Sequence, residues 1–323
     1  MSRFDAIDLR SASADLAAAV VPGAGMVVSS LRDGGRELLG QRRGLHAYVE
    51  RGSTMGIPLL HPWANRLGAD RFVFDGIEVR LADAGRRLRR EEHGLPIHGL
   101  LAGSPDWVVV RGAGQAGAAS SAAELDFGAD PQLMAAFPFA HRLRLEIAVA
   151  GRTLTVRTTL TASGERPVPA AFGFHPYLRL PGVPRELWHV ELPAMRHLEL
   201  DGRGIPTGGG SDVPAQAGAL RERTFDDGYS GVAAGAEFVL AGGGRRIAVH
   251  FDEGYRFAQV FAPAEDDVVC FEPMVAPTNA LVSGDGLTVV PPGGRYVAAF
   301  SVTVADVTPA AARARGAGPA TTA

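Results

Sequence analysis

The stretch HRLRLEIAVAGRTLTVRTTLTAS, residues 141–163, decides the fold class. Leu143, Leu145, Ile147 and Val149 alternate with Arg142, Arg144 and Glu146, and after Gly151-Arg152 the alternation resumes at Leu154, Val156, Thr158 and Leu160. Side chains that change face at every residue define a strand, so this is an antiparallel pair with one dry and one wet face. FVFDGIEVRL (72–81) holds two short β-rich runs around Asp75-Gly76, a dipeptide suited to the positive φ of a tight hairpin turn. Further strands are expected at 14–20, 25–31, 107–111, 123–127, 237–240, 246–252, 256–261, 267–272, 287–290 and 295–304, separated by Gly, Pro and Asp clusters. Helical periodicity is confined to PQLMAAF (131–137), and the absence of βαβ alternation disfavours a doubly wound fold. The expected class is all-β: a sandwich of large antiparallel sheets with very little helix.

No linker divides the chain. RGAGQAGAASSA (111–122) reads as a flexible surface loop between two strands, and DGRGIPTGGGSDVPAQAG (201–218) as a longer Gly/Pro loop. One domain is expected over 1–308, with a disordered tail at 309–323. The 323 residues are 46% hydrophobic and 21% charged, a globular balance. The net charge of -3 gives no global field for nucleic acid or an anionic membrane. Every basic side chain other than histidine is arginine, and Cys270 is the sole cysteine, so an internal disulfide is impossible. The N-terminal MSRFDAIDLR lacks the apolar core of a secretory signal, and no run reaches the length of a membrane span. The expectation is a soluble cytoplasmic protein, monomer or homodimer.

Chemistry is concentrated in a few short stretches. VPAAFGFHPYLRL (168–180) sets His175 among Phe172, Phe174, Pro176 and Tyr177, surroundings that fix an imidazole and favour its neutral form. Glu272 ends the apolar run Val268, Val269, Cys270, Phe271 and precedes Pro273. A buried acid there is costly unless hydrogen-bonded or functional, and desolvation raises its pKa toward that of a useful general base. His98, in LPIHGLL (95–101), has Gly99 beside it, which would let the backbone approach a ligand. His93 lies five residues earlier, a spacing that fits neither one strand face nor one helix face, so no metal site is expected. Arg66 follows Asn65 in PWANRL (62–67) and offers a fork to sugar hydroxyls or a carboxylate. TFDDGYSG (224–231) reads as a turn whose Asp226 or Asp227 reaches a hydroxylated ligand. No phosphate loop, serine elbow or zinc signature occurs.

Taken in order, NR, HG, FGFHPYL, an aspartate turn, and CFEPMVAPTNAL resemble the aldose 1-epimerase (galactose mutarotase) family, from about residue 14 to residue 304. The resemblance implies a galactose mutarotase-type β-sandwich with an open sheet face for a sugar. It assigns Glu272 as the base that takes the anomeric proton and His175 as the acid that protonates the ring oxygen, without a cofactor. It places His98 near the ring oxygen, Arg66 and Asn65 on hydroxyls, and Asp226 on the opposite side of the sugar. Trp63, Phe174 and Tyr177 are the aromatics available to the sugar's apolar face. Phe174 stands where many relatives have asparagine, Leu178 where they have phenylalanine, and HGL replaces HGG, as in the family's divergent bacterial members.

Opening a hemiacetal requires an acid and a base, expected on opposite sides of the ring with pKa values moved toward neutrality. The leading expectation is a mutarotase acting on a free aldose. A hexose-6-phosphate 1-epimerase is the runner-up, with Arg42, Arg43, Arg71 and Arg86 to Arg90 as candidate rim cations. A non-catalytic sugar-binding module and an interaction protein are the readings from other classes.

Overall fold

Residues 141–163 fold into the strands His141–Ala150 and Thr153–Ala162, paired antiparallel from His141↔Ala162 to Ala150↔Thr153. Leu143, Leu145, Ile147, Val149, Leu154, Val156 and Leu160 are buried, and Arg142 and Arg157 face water. The computed structural model describes residues 4–110 and 117–307. The tail at 309–323 and residues 111–116 of the low-complexity loop lie outside the described residues.

The 141–163 pair sits in a nine-stranded antiparallel sheet. Its order is Val108–Val110, Ala119–Asp126, His141–Ala150, Thr153–Ala162, Arg295–Asp306, Arg245–Glu253, Ala236–Gly242, His189–Leu192 and Gln216–Ala219. An eight-stranded sheet contains Pro206–Val213, Met195–Leu200, Phe225–Ser230, Phe257–Ala262, Val269–Met274, Gly173–Phe174 and Leu59–Leu60, with Tyr177–Leu178 also paired to Val269–Met274. Phe174 meets Phe300 at 5.1 Å between ring centroids and Phe238 meets Phe271 at 5.6 Å, so the two sheets share an aromatic interior. A strand that sends Phe271 inward must send Cys270 and Glu272 to the other face. That alternation carries a carboxyl to the outer sheet face. A four-stranded sheet over residues 7–37 completes the larger sheets.

Asp75 and Gly76 both have positive φ, and the hairpin Arg71–Phe74 with Ile77–Arg80 forms around them. The helix Pro131–Ala136 also forms, capped by Asp130, whose side chain accepts from the backbone N–H groups of Gln132 and Leu133. Among the described residues no helix is long and apolar enough to cross a membrane.

Three regions depart from expectation. The Gly/Pro segment 201–218 is largely strand, Pro206–Val213 and Gln216–Ala219. Pro206–Val213 lies at the end of its sheet with none of its residues buried, so no alternating apolar pattern marked it. The strands His189–Leu192 and Met195–Leu200 were likewise not anticipated. A helix of eight residues, Gly44–Arg51, was missed; Gly52 closes it in the left-handed conformation, its N–H bonded to Ala47 and Tyr48 carbonyls.

Candidate active site

Cross-strand register builds the site on the outer face of the eight-stranded sheet. One rung runs Tyr177↔Cys270, Cys270↔Phe261 and Phe261↔Asp226; the next runs Glu272↔Gln259 and Gln259↔Gly228. TFDDGYSG is therefore not a turn. It is the strand Phe225–Ser230, and the pleat sends adjacent aspartates to opposite faces. Asp226 lines the hollow, while Asp227 turns away and pairs with His197 Nε2 at 2.9 Å.

The hollow measures about 150 Å³ and is lined by Arg42, Thr54, Asn65, Arg66, Ile97, His98, His175, Tyr177, Asp226, Phe261 and Glu272. Glu272, His175, His98, Arg66, Asn65, Asp226 and Tyr177, all singled out from the sequence, converge here. His175 Nε2 lies 3.2 Å from Glu272 Oε1, and both side chains are almost fully buried. The two stand side by side because the strand Val269–Met274 carries Glu272 and His175 lies between Gly173–Phe174 and Tyr177–Leu178, both paired to that strand. Glu272 Oε2 and His175 Nδ1 are buried without hydrogen-bond partners. Burial, and then the Asp226 charge, push the Glu272 carboxyl well above the usual range, against the pull of Arg66. Burial holds His175 well below the usual histidine value, helped by His98 and Arg42. The half-buried His98 is pushed down to about 3 by burial and by Arg66. In each case burial favours the uncharged form.

Arg66 ties the opposite wall together. Its Nη2 donates to Asp226 Oδ2 at 3.3 Å, its Nη1 to Asn65 Oδ1 at 3.2 Å, and its Nε lies 3.6 Å from Glu91 Oε2. Asn65 Oδ1 also accepts from the Arg66 backbone N–H at 2.8 Å. Asn65 and His98 both adopt positive φ, an uncommon conformation for side-chain-bearing residues, and His98 N donates to Asn65 O at 3.0 Å. Asn279, in PTNAL, braces the same loop: its Oδ1 accepts from Gly68 N at 2.7 Å and its N donates to Arg66 O at 3.0 Å. Gly99 serves the protein rather than a ligand, since a Cβ there would lie 2.1 Å from the His61 carbonyl oxygen.

Other expectations change. Trp63 and Phe174 are 1% and 2% exposed and belong to the core, so neither can meet a sugar. Tyr177 lines the hollow, but its ring is covered by His175. Phe261, absent from the sequence reading, is the half-buried ring that lines the hollow. Gln259, also missed, is buried beside Glu272 and donates to Asp226 Oδ1 at 2.7 Å. Of the arginines considered for a phosphate rim, Arg42 alone is among the lining residues; Arg87 and Arg90 pair with Asp130 and Asp70. His93 is exposed beside Glu92 and does not join His98 in the hollow.

The fold and this cluster define an all-β protein with a dry acid–imidazole pair on an open sheet face. Residues 9–303 match the family model described as Aldose 1-epimerase, and the chain belongs to that family. No curated protein sequence matches significantly. Among solved structures, the Slr1438 protein of Synechocystis sp. PCC 6803 is similar with TM-score 0.75 and 25% identity, covering 94% of this chain and 97% of that one. A galactose mutarotase-like protein from Clostridium acetobutylicum has TM-score 0.79 at 16% identity, covering 91% and 94%. Galactose 1-epimerase from Lactobacillus acidophilus NCFM has TM-score 0.75 at 14% identity, covering 95% and 97%. At these last two identities the likeness is one of fold.

Proposed function

We propose that the protein is an aldose 1-epimerase that interconverts the anomers of a neutral sugar. The observation that carries this reading is the 3.2 Å contact between two buried titratable groups at the wall of an open hollow. The anomeric oxygen O1 and the ring oxygen O5 share one carbon, so the groups that exchange their protons must stand close together. Glu272 takes the proton from O1 as His175 Nε2 delivers one to O5, and the C1–O5 bond breaks to leave an aldehyde. Rotation about C1–C2 presents the other carbonyl face. O5 then attacks C1, His175 takes the O5 proton, and Glu272 returns its proton to O1.

The pair therefore carries one mobile proton throughout. It is ionised when it meets the ring and neutral when it meets the open chain. Burial favours the neutral arrangement, and Arg66 supports the ionised one by drawing down Glu272. His98 and Asn65 supply hydrogen bonds to hydroxyls, Arg66 and Asp226 orient the sugar, and Phe261 packs on its apolar face. Both guanidiniums at the hollow already answer carboxylates, Arg42 with Asp266 at 3.0 Å and Arg66 with Asp226 at 3.3 Å. That supports a neutral sugar over a phosphate ester.

The test is anomer exchange by NMR over free and phosphorylated aldoses, for wild type and Glu272→Gln. Free sugars should exchange faster than the spontaneous rate, and the substitution should remove the excess. Exchange of glucose 6-phosphate alone would move the substrate to the phosphorylated class. Binding without faster exchange would leave a sugar-binding module.

A further inference from the structure

The face of Tyr177 that a sugar would need is already taken. Its ring lies parallel to the His175 imidazole, with centroids 4.2 Å apart and planes 6° apart. Its hydroxyl contacts Thr54 Oγ1 at 2.6 Å, accepts from Arg42 Nη1 at 3.1 Å, and lies 3.2 Å from His175 Nε2. Two parallel rings at that spacing put the hydroxyl over the imidazole, not in its plane, and a nitrogen's proton or lone pair lies in the plane. The in-plane direction of Nε2 is thus left to Glu272. The other ring nitrogen, Nδ1, has no hydrogen-bond partner, so packing sets the orientation of the ring.

The chain invests heavily in fixing that phenol. Arg42 precedes the helix Gly44–Arg51 and Thr54 follows it, so one short helix delivers both anchors. Arg42 Nε donates to Asp266 Oδ2 at 3.0 Å, its guanidinium carbon lies 5.1 Å from the phenol centroid, and its backbone has a φ of 40°. Such strain at a residue with a side chain persists only where the surroundings enforce it. The same segment grips the tyrosine backbone: Gly40 N donates to Tyr177 O at 2.7 Å and Tyr177 N to Gly56 O at 2.9 Å. His98 and Phe261 close the imidazole edge-on, at 5.5 Å and 5.8 Å.

We propose that Thr54, Arg42 and Tyr177 form a clamp behind His175, with Tyr177 a positioning residue that keeps Nε2 aimed at Glu272 and the reacting oxygens. What Nε2 does there rests on the acid–base reading above; the clamp rests on geometry. Without its hydroxyl the phenol ring keeps its stack but loses both anchors, and the imidazole gains freedom to rotate. A small loss of aim at a reacting atom costs rate rather than affinity.

The variants are Tyr177→Phe, Thr54→Val and Thr54→Ser in the full chain, each with a melting curve. Tyr177→Phe and Thr54→Val should lower kcat for anomer exchange about 10- to 100-fold with KM within about twofold, while Thr54→Ser keeps most of kcat. Nitrogen-15 spectra of the His175 imidazole in the sugar-free protein should pass from one sharp set to an averaged or multiple set in Thr54→Val. That variant decides the matter if Tyr177→Phe does not fold. A raised KM with unchanged kcat would make Tyr177 a sugar contact and overturn the clamp, as would a Thr54→Ser no better than Thr54→Val. If the wild type exchanges no sugar, the epimerase reading fails by itself. The imidazole spectra then still judge the clamp, and identical spectra for wild type and Thr54→Val would end it.

Discussion

Two buried pairs among the described residues set an imidazole against a second titratable group, and their surroundings differ. His61 Nε2 lies 2.7 Å from His141 Nε2, and His141 Nδ1 donates to the Phe139 carbonyl at 2.6 Å. A carbonyl only accepts, so His141 must present a lone pair at Nε2 and His61 must donate to it. Phe127 stacks on His141 at 4.3 Å, Phe137 and Phe172 close the surroundings, and both histidines are at most 1% exposed. One lone pair, His61 Nδ1, goes unanswered, and neither ring lines the sugar hollow. At His175 and Glu272 the orphaned atoms belong to both partners, one of them a carboxyl oxygen, and the pair borders an opening. A buried titratable group alone does not mark a site. Unmet hydrogen-bonding capacity on both partners, beside space for a ligand, does.

Substitutions at the proposed catalytic pair should show the largest effects. Glu272→Gln and His175→Asn should each lower kcat for anomer exchange by about 10²- to 10⁴-fold, the usual weight of a positioned acid or base. Glu272→Gln should at the same time melt higher than wild type at pH 7 to 8. A carboxyl whose folded pKa is raised stabilises the fold below its unfolded pKa and loses that contribution as pH rises, and glutamine has no proton to lose. The gain should vanish at pH 4; melting curves at the two pH values check it.

The core pair should appear in acid instead. His61 is held well below its ordinary value and His141 at about 4, both chiefly by burial. Their contribution is present above the unfolded value near 6.5 and is lost as pH falls toward 4, by up to about 1.4 kcal/mol per pH unit for each imidazole. His141→Asn should flatten that decline in denaturant titrations between pH 6.5 and 4. An equally steep decline in the variant would remove the pair from the account.

The two aspartates of one strand give the finest contrast. Asp226→Asn should raise KM about tenfold, as expected from losing one charge-assisted contact to a hydroxylated ligand. Asp227→Asn should leave exchange unchanged and cost less than about 1 kcal/mol, because its partner His197 is 37% exposed. Steady-state exchange rates and melting curves of the two variants separate them.

Strands with one dry face were legible because the pleat writes a period of two into the sequence. Strand 269–274 was legible for another reason, an apolar run ended by a single acid, and Glu272 followed from it; His175 was marked by the aromatics and proline around it. The wet-edged strand at Pro206–Val213 had no such pattern to read, and Asp226-Asp227-Gly228 carried the composition of a turn while pairing as a strand. Gln259, Phe261 and Thr54 entered the site through cross-strand register and a short helix, which no local signal encodes, and of the arginines considered for a rim only the fold distinguishes Arg42. Tyr177 shows the limit from the other side: the sequence pointed to the residue, but not to which of its faces is covered.

The central claim is that one proton shared by a dry carboxyl and imidazole opens and closes a sugar ring, and the pH dependence of anomer exchange tests it most directly. The account predicts a broad plateau through neutrality, with an acid limb below the ordinary histidine value near 6.5, where the pair gains a second proton, and an alkaline limb well above the ordinary glutamate value, where it loses its last one. Activity that falls on a single limb centred near 6.5 and is already lost at pH 5.5 would show an ordinary exposed imidazole at work, and would contradict it.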